Sequence, residues 1–116
     1  MVRNAMFQKV QLAARDRYVD LAGLEGGEGK VKMHAAAWEE ALGAYWDEHE
    51  TLDDGPAARS PSLLIIDRST PRTWTVRQII NDPEGHHDWA IVATVDLDAS
   101  DAVGEPVIRT QSFGVG

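Results

Sequence analysis

The chain has 116 residues, 43 % of them hydrophobic and 26 % charged, which is one domain's worth of sequence and enough to bury about 65 % of the surface its unfolded form exposes. It holds no cysteine, which excludes disulfides, a thiol nucleophile and thiolate zinc sites, and no apolar run approaches the ~20 residues of a membrane helix. Eleven basic against nineteen acidic residues leave a net charge of −8, which argues against a general phosphate-binding surface; the charged opening, Met1-Val-Arg-Asn-Ala-Met-Phe-Gln-Lys9, does not suit a secretory signal, so a cytoplasmic protein is expected.

The charge is unevenly spread. Residues 1–32 carry six basic and four acidic side chains, residues 33–67 one and eight, and residues 68–116 four and seven. Any nucleic-acid contact would therefore use the first segment, through Arg3, Lys9, Arg15, Arg17, Lys30 and Lys32. That segment reads as one helix, because Phe7, Val10, Ala14, Tyr18 and Leu21 repeat at intervals of three and four. Lys9, Arg15, Asp16, Arg17 and Asp20 take the other side, and Gly23 is its stop. Leu24-Glu-Gly-Gly-Glu-Gly29 follows as a connection. A second helix is expected from Val31 to Glu50, with His34, Trp38, Ala41, Leu42, Tyr45 and His49 on one stripe and Glu39, Glu40, Asp47 and Glu48 opposite.

Asp53-Asp-Gly-Pro56 ends the helical part, taken as 1–52, and the sheet part runs over 58–116. Leu63-Leu-Ile-Ile66, between Pro61 and Pro71, suits a buried strand. Trp74, Val76, Gln78 and Ile80 alternate with more polar neighbours in a second strand. Asp82-Pro-Glu-Gly85 has the proline and glycine placement of a type I turn. Trp89, Ile91, Ala93, Val95 and Leu97 alternate in a third strand, residues 99–106 read as a loop, and Val107 to Phe113 as a last strand. The fold expected is α+β: two N-terminal helices on a bent antiparallel sheet of about four strands, forming a single domain over 1–116.

Four groups of residues invite a chemical reading. His86-His87-Asp88 could hold a metal or act as an acid–base pair, but neighbours on a strand point to opposite faces, and capping of the turn is the simpler role. Val95-Asp-Leu-Asp-Ala-Ser100 resembles the first motif of haloacid-dehalogenase-like phosphatases, yet too little chain follows for their later motifs. As a calcium loop it lacks the required glycine and glutamate, which leaves a solvated acidic loop. Gly26-Gly-Glu-Gly-Lys30 lacks the upstream glycine and the Ser or Thr of a phosphate loop. Four tryptophans suit core packing in an acidic domain better than base stacking, with Trp46, off the stripe, the interface candidate. His34 on an apolar stripe is read as a core histidine. No metal ligand, cofactor or catalytic residue is assigned.

Ala58-Arg-Ser-Pro61, Trp74-Thr-Val-Arg-Gln78, Asp82-Pro-Glu-Gly-His-His-Asp-Trp89 and Val95-Asp-Leu-Asp-Ala-Ser100, with Gly104 and Val107, resemble the uncharacterised C-terminal domain of actinobacterial superfamily II DEAD/DEAH-box RNA helicases. Arg3-Asn-Ala-Met-Phe7 and the stretch from Trp38 to Glu50 are similar to its helical lead-in. The resemblance implies an accessory domain. The phosphate loop and Asp-Glu-Ala-Asp-type box of the family have no counterpart here, so ATP chemistry would lie in other domains. The implied partners are the helicase core or another protein, with RNA engaged only indirectly and no membrane; the oligomeric state stays open, a dimer included.

The order of elements also looks like part of the nuclear-transport-factor-2-like cone. That similarity would place a pocket between helix 2 and the sheet, lined by Trp38, Tyr45, Trp74 and Trp89. The pocket and family-motif positions together are Trp38, Tyr45, Trp74, Gln78, Asp82, Gly85, His87, Asp88 and Trp89. Three functions follow as expectations: a non-catalytic docking domain, a small-ligand-binding or enzymatic cone domain, or RNA binding through the basic first helix.

Overall fold

The apolar stripe of the first segment winds into two helices rather than one in the computed structural model, which describes residues 2–25, 32–104 and 106–115. Helix α1 (Val2–Ala14) buries Met6, Phe7, Lys9, Val10 and Ala13. The chain then breaks at Asp16, whose φ is +56°, and resumes as α2 (Tyr18–Gly23), which buries Leu21. The expected single helix is thus corrected. Arg15 and Arg17 both donate their backbone N–H to Leu12 O, at 3.2 and 2.9 Å, closing a tight turn that lets α2 fold onto α3.

Helix α3 runs Ala35–Glu48, shorter than the expected 31–50. His34 is its N-cap residue and is exposed, not a core histidine. The residues expected as the inter-helix connection and the start of this helix, 26–31, lie outside the described residues. Trp38, Leu42 and Tyr45, at intervals of four and three, are fully buried, as a core-facing stripe requires.

Two short 3-10 turns (Pro56–Arg59 and Pro61–Leu63) lead into the sheet. Its strands are β1 (Leu64–Asp67), β2 (Thr73–Ile79), β3 (Trp89–Asp96) and β4 (Ile108–Val115), antiparallel throughout and adjacent in chain order. The α+β meander is therefore as expected. Val76, Ile91, Ala93, Val95, Ile108 and Phe113 join Phe7, Val10, Trp38, Leu42 and Tyr45 in one core, which places the helices over one face.

The first strand is not buried on both sides. It is an edge strand paired only to β2, and Ile65 is half exposed. Gln111 is the extra residue of a bulge between Val92 and Ala93, since those two pair with Ser112 and Thr110. Such a bulge bends its strand and adds local twist.

Leu97, expected to continue the third strand, instead opens a further helix, α4 (Leu97–Val103), which takes in the first residues of the expected 99–106 loop. Asp96 caps it, its Oδ1 accepting from Ala99 N at 3.0 Å, and Gly104 ends it in the left-handed conformation at φ +76°. Asp96 and Asp98 are thus helix-entry residues rather than loop acids. Asp96 is held below the usual carboxylate range, chiefly by the Ala99 N–H. Gly104→Ala is expected to cost about 1 kcal/mol in urea unfolding. The cost is conformational, because nothing lies within 4 Å of the Cβ position; a neutral variant would contradict this. No helix among the described residues is long and apolar enough to cross a membrane.

Candidate functional site

The space between α3 and the sheet, expected as a pocket, is filled by its own aromatic side chains. Trp38, Tyr45 and Trp89 are buried. Tyr45 meets Trp89 edge-on with centroids 5.3 Å apart, Trp89 meets Phe113 at 5.4 Å, and Trp38 meets Phe113 at 6.0 Å. Such pairs contribute about 0.5–1.5 kcal/mol each beyond area burial. Gln78 is spent on backbone, its Nε2 donating to Leu63 O at 3.2 Å and Ile79 O at 3.3 Å. Trp74 stands apart from this cluster. It lies under the Arg68 guanidinium at 4.6 Å and borders a shallow depression of about 400 Å³ with Val2, Val95 and Leu97.

Among the described residues, three of the first segment's basic side chains, Lys9, Arg3 and Arg17, are engaged by other groups of the fold. Lys9 is buried, because it faces the core between Met6 and Val10, and its Nζ lies 3.7 Å from the equally buried Glu25. It cannot reach a phosphate, which corrects its place among the nucleic-acid candidates. Burial pushes its pKa down, against the pull of Glu25. Arg3 donates to Arg59 O at 2.7 Å, and Arg17 is ion-paired with Asp20. Arg15 and Lys32 are exposed, and Lys30 lies outside the described residues. Trp46, the interface candidate, is half-buried; its Nε1–H donates to Asp16 at 3.1 Å.

The chemistry of the chain gathers where α3 ends. The turn at residues 82–85 forms as expected, with Gly85 N donating to Asp82 O at 3.0 Å and Gly85 at φ +72°. Its organiser is Asp82 rather than the following His-His-Asp. The buried carboxylate accepts from His86 N at 3.0 Å and His87 N at 2.8 Å. His87 takes a positive φ of 56°, and its ring reaches Asn81 Oδ1 at 2.9 Å. Burial works to raise the Asp82 pKa, but the two N–H groups and the His49 imidazole outweigh it and hold the carboxyl below its usual range.

His49, the C-cap residue of α3, brings this turn against the helix. Its N–H returns to Tyr45 O at 2.9 Å, and its ring packs 5.0 Å from that of Tyr45. The Nδ1 atom lies 3.0 Å from Glu84 Oε2 and 4.0 Å from Asp82 Oδ2. Ligand atoms of His49, Asp82 and Asp88 all fall within 4.8 Å of one another. Asn81 Nδ2 donates to Asp53 at 2.8 Å, and Asp53 N to Asn81 O at 3.3 Å, so the segment after α3 and the β2–β3 turn form one wall. An open depression of about 630 Å³ lies between them, lined by Thr51, Asp53, Asp82 and Glu84 among others.

This end is strongly acidic. Asp47, Glu48, Glu50, Asp53 and Asp54 come from one segment, Asp82, Glu84 and Asp88 from the other, and neither 33–58 nor 78–88 contains Lys or Arg. Tyr45 reports the field: its hydroxyl, donating to Thr51 O at 2.7 Å, has its pKa raised by burial first and then by Asp82, Glu84 and Asp88. Of the expected positions, Asp82, Gly85, His87 and Asp88 come together here. His49 and Glu84 are additions: His49 was visible as a stripe residue of the second helix, but nothing in the sequence joins it to a turn more than thirty residues away.

A family model described as a domain of unknown function (DUF3516) matches residues 1–113. No curated protein and no solved structure matches the chain.

Proposed function

The chain belongs to the DUF3516 family, and from there we propose that it is a non-catalytic accessory domain of an ATP-dependent RNA helicase, acting in the cytoplasm by docking its acidic end onto a basic surface of the helicase core. The helicase association rests on the resemblance of the Asp82–Trp89 string and its companions. The observation that carries the docking mode is the end built by residues 47–54 and 81–88, where eight carboxylates stand without a Lys or Arg in either segment. A protein that grips RNA needs Lys and Arg to neutralise phosphates, and an acidic face is complementary to such a surface. ATP turnover would belong to the other domains.

The test is affinity between this chain and the helicase core at two salt concentrations. Asp47→Lys, Glu48→Lys and Glu50→Lys combined are expected to weaken association at least tenfold, because these exposed side chains set the face's charge without entering the core. Binding should weaken as salt rises. An unchanged affinity in the triple variant would overturn the docking mode. Steeply salt-dependent binding of RNA by the isolated chain would overturn it in favour of the first-helix reading.

A further inference from the structure

We propose that His49, Asp82 and Asp88 form a binding site for a single divalent cation of the zinc type. The three donors already face one another, with ligand atoms within 4.8 Å. Two of them are fixed before any ion arrives. His49 is held by the last turn of α3 and by the Tyr45 ring, and Asp82 by the backbone N–H groups of His86 and His87. Such supporting contacts orient the first ligands of metal sites. Asp88 is exposed, which leaves an entry path and a side chain free to close.

Charge points the same way. The carboxylates of Asp82, Glu84 and Asp88 converge on one imidazole, and no Lys or Arg ion pair is formed by any of them among the described residues. A protonated imidazole supplies one positive charge; a divalent ion supplies two. Zinc ligands at about 2.0–2.2 Å from the metal stand about 3–4 Å apart. Closure from the present spacing needs about an ångström of movement, within reach of Asp88 and of the half-exposed Glu84 as a fourth donor. The nitrogen donor decides the metal: imidazole suits zinc, whereas magnesium and calcium favour oxygen alone. The site does not depend on whether the domain docks on a helicase.

The test is calorimetric titration of the full chain with Zn²⁺ alone, with Mg²⁺ for comparison, followed by ¹⁵N spectra of the histidine rings. One equivalent of Zn²⁺ is expected, bound at least tenfold tighter than Mg²⁺, with the shift at His49 Nδ1. Asp88→Asn, an exposed change that leaves the fold in place, should weaken Zn²⁺ at least tenfold. Asp98→Asn, at the opposite end of the sheet on α4, should match the parent chain. Absence of binding at millimolar Zn²⁺ would overturn the site and leave His49 as the ion-pair partner of Glu84. Affinity unaltered by Asp88→Asn, or ring shifts confined to His86 and His87, would overturn it as well.

Discussion

Glu25→Ala is expected to destabilise the fold by about 3–5 kcal/mol, since it strands a buried cation. Glu25 is the partner of Lys9 at 3.7 Å, with both side chains almost wholly enclosed, and its other oxygen accepts from Thr110 N on β4 at 2.9 Å. The substitution therefore orphans a buried ammonium and a buried amide together. Lys9→Met with Glu25→Gln should recover at least half of the loss, because the charge is gone and an acceptor for Thr110 N remains.

The pair also has a pH signature. Burial lowers the Lys9 pKa beneath its ordinary 10.5, so in the alkaline window below that value the unfolded chain binds a proton that the folded chain releases. Stability from this group then rises with pH. Glu25→Ala removes the opposing attraction and should make that rise begin at lower pH. Urea unfolding at neutral and alkaline pH reads both effects; a variant within about 1 kcal/mol of the parent would show that the pair is not buried.

Asp82→Ala is expected to cost about 2–4 kcal/mol, because two part-buried backbone N–H groups lose the charged acceptor that fixes the turn. Asp82→Asn keeps one acceptor oxygen and should cost less. The pH dependence has the same sign as that of Lys9, because both folded pKa values are depressed, but it falls in the acid window. The folded pKa of Asp82 lies below its ordinary 3.8, so its stabilisation is complete above that value and is lost as pH falls through the folded pKa. The gap between parent and Asp82→Asn should accordingly shrink under acid. A constant gap would mean that the charge contributes nothing and only the hydrogen bonds matter.

What could be read in advance follows from how local each signal is. The alternation of Val76, Gln78 and Ile80, and of Trp89, Ile91, Ala93 and Val95, announces strands with one buried face, and the pairs found are those strands. The break at Asp16 was hidden because the apolar stripe continues through it: Tyr18 and Leu21 still face inward after the turn. Lys9 falls on the buried side by period, beside Met6 and Val10, but its charge argued for solvent; only Glu25, arriving from beyond α2, makes burial tolerable. Helix α4 had its signals in Asp96 as cap and Gly104 as stop, obscured by an acidic composition that suits a loop. The candidate site was half legible. The turn residues Asp82, Gly85, His87 and Asp88 stood out together, whereas their meeting with His49 depends on how α3 lies across the sheet.

The most direct test of the docking claim is hydrogen–deuterium exchange of this chain with and without the helicase core. Slowed exchange in residues 47–54 and 81–88, with α1 unchanged, is the result expected of an acidic end seated on a basic partner. Protection confined to α1, or none anywhere at concentrations where the two proteins are mixed in excess, would contradict it.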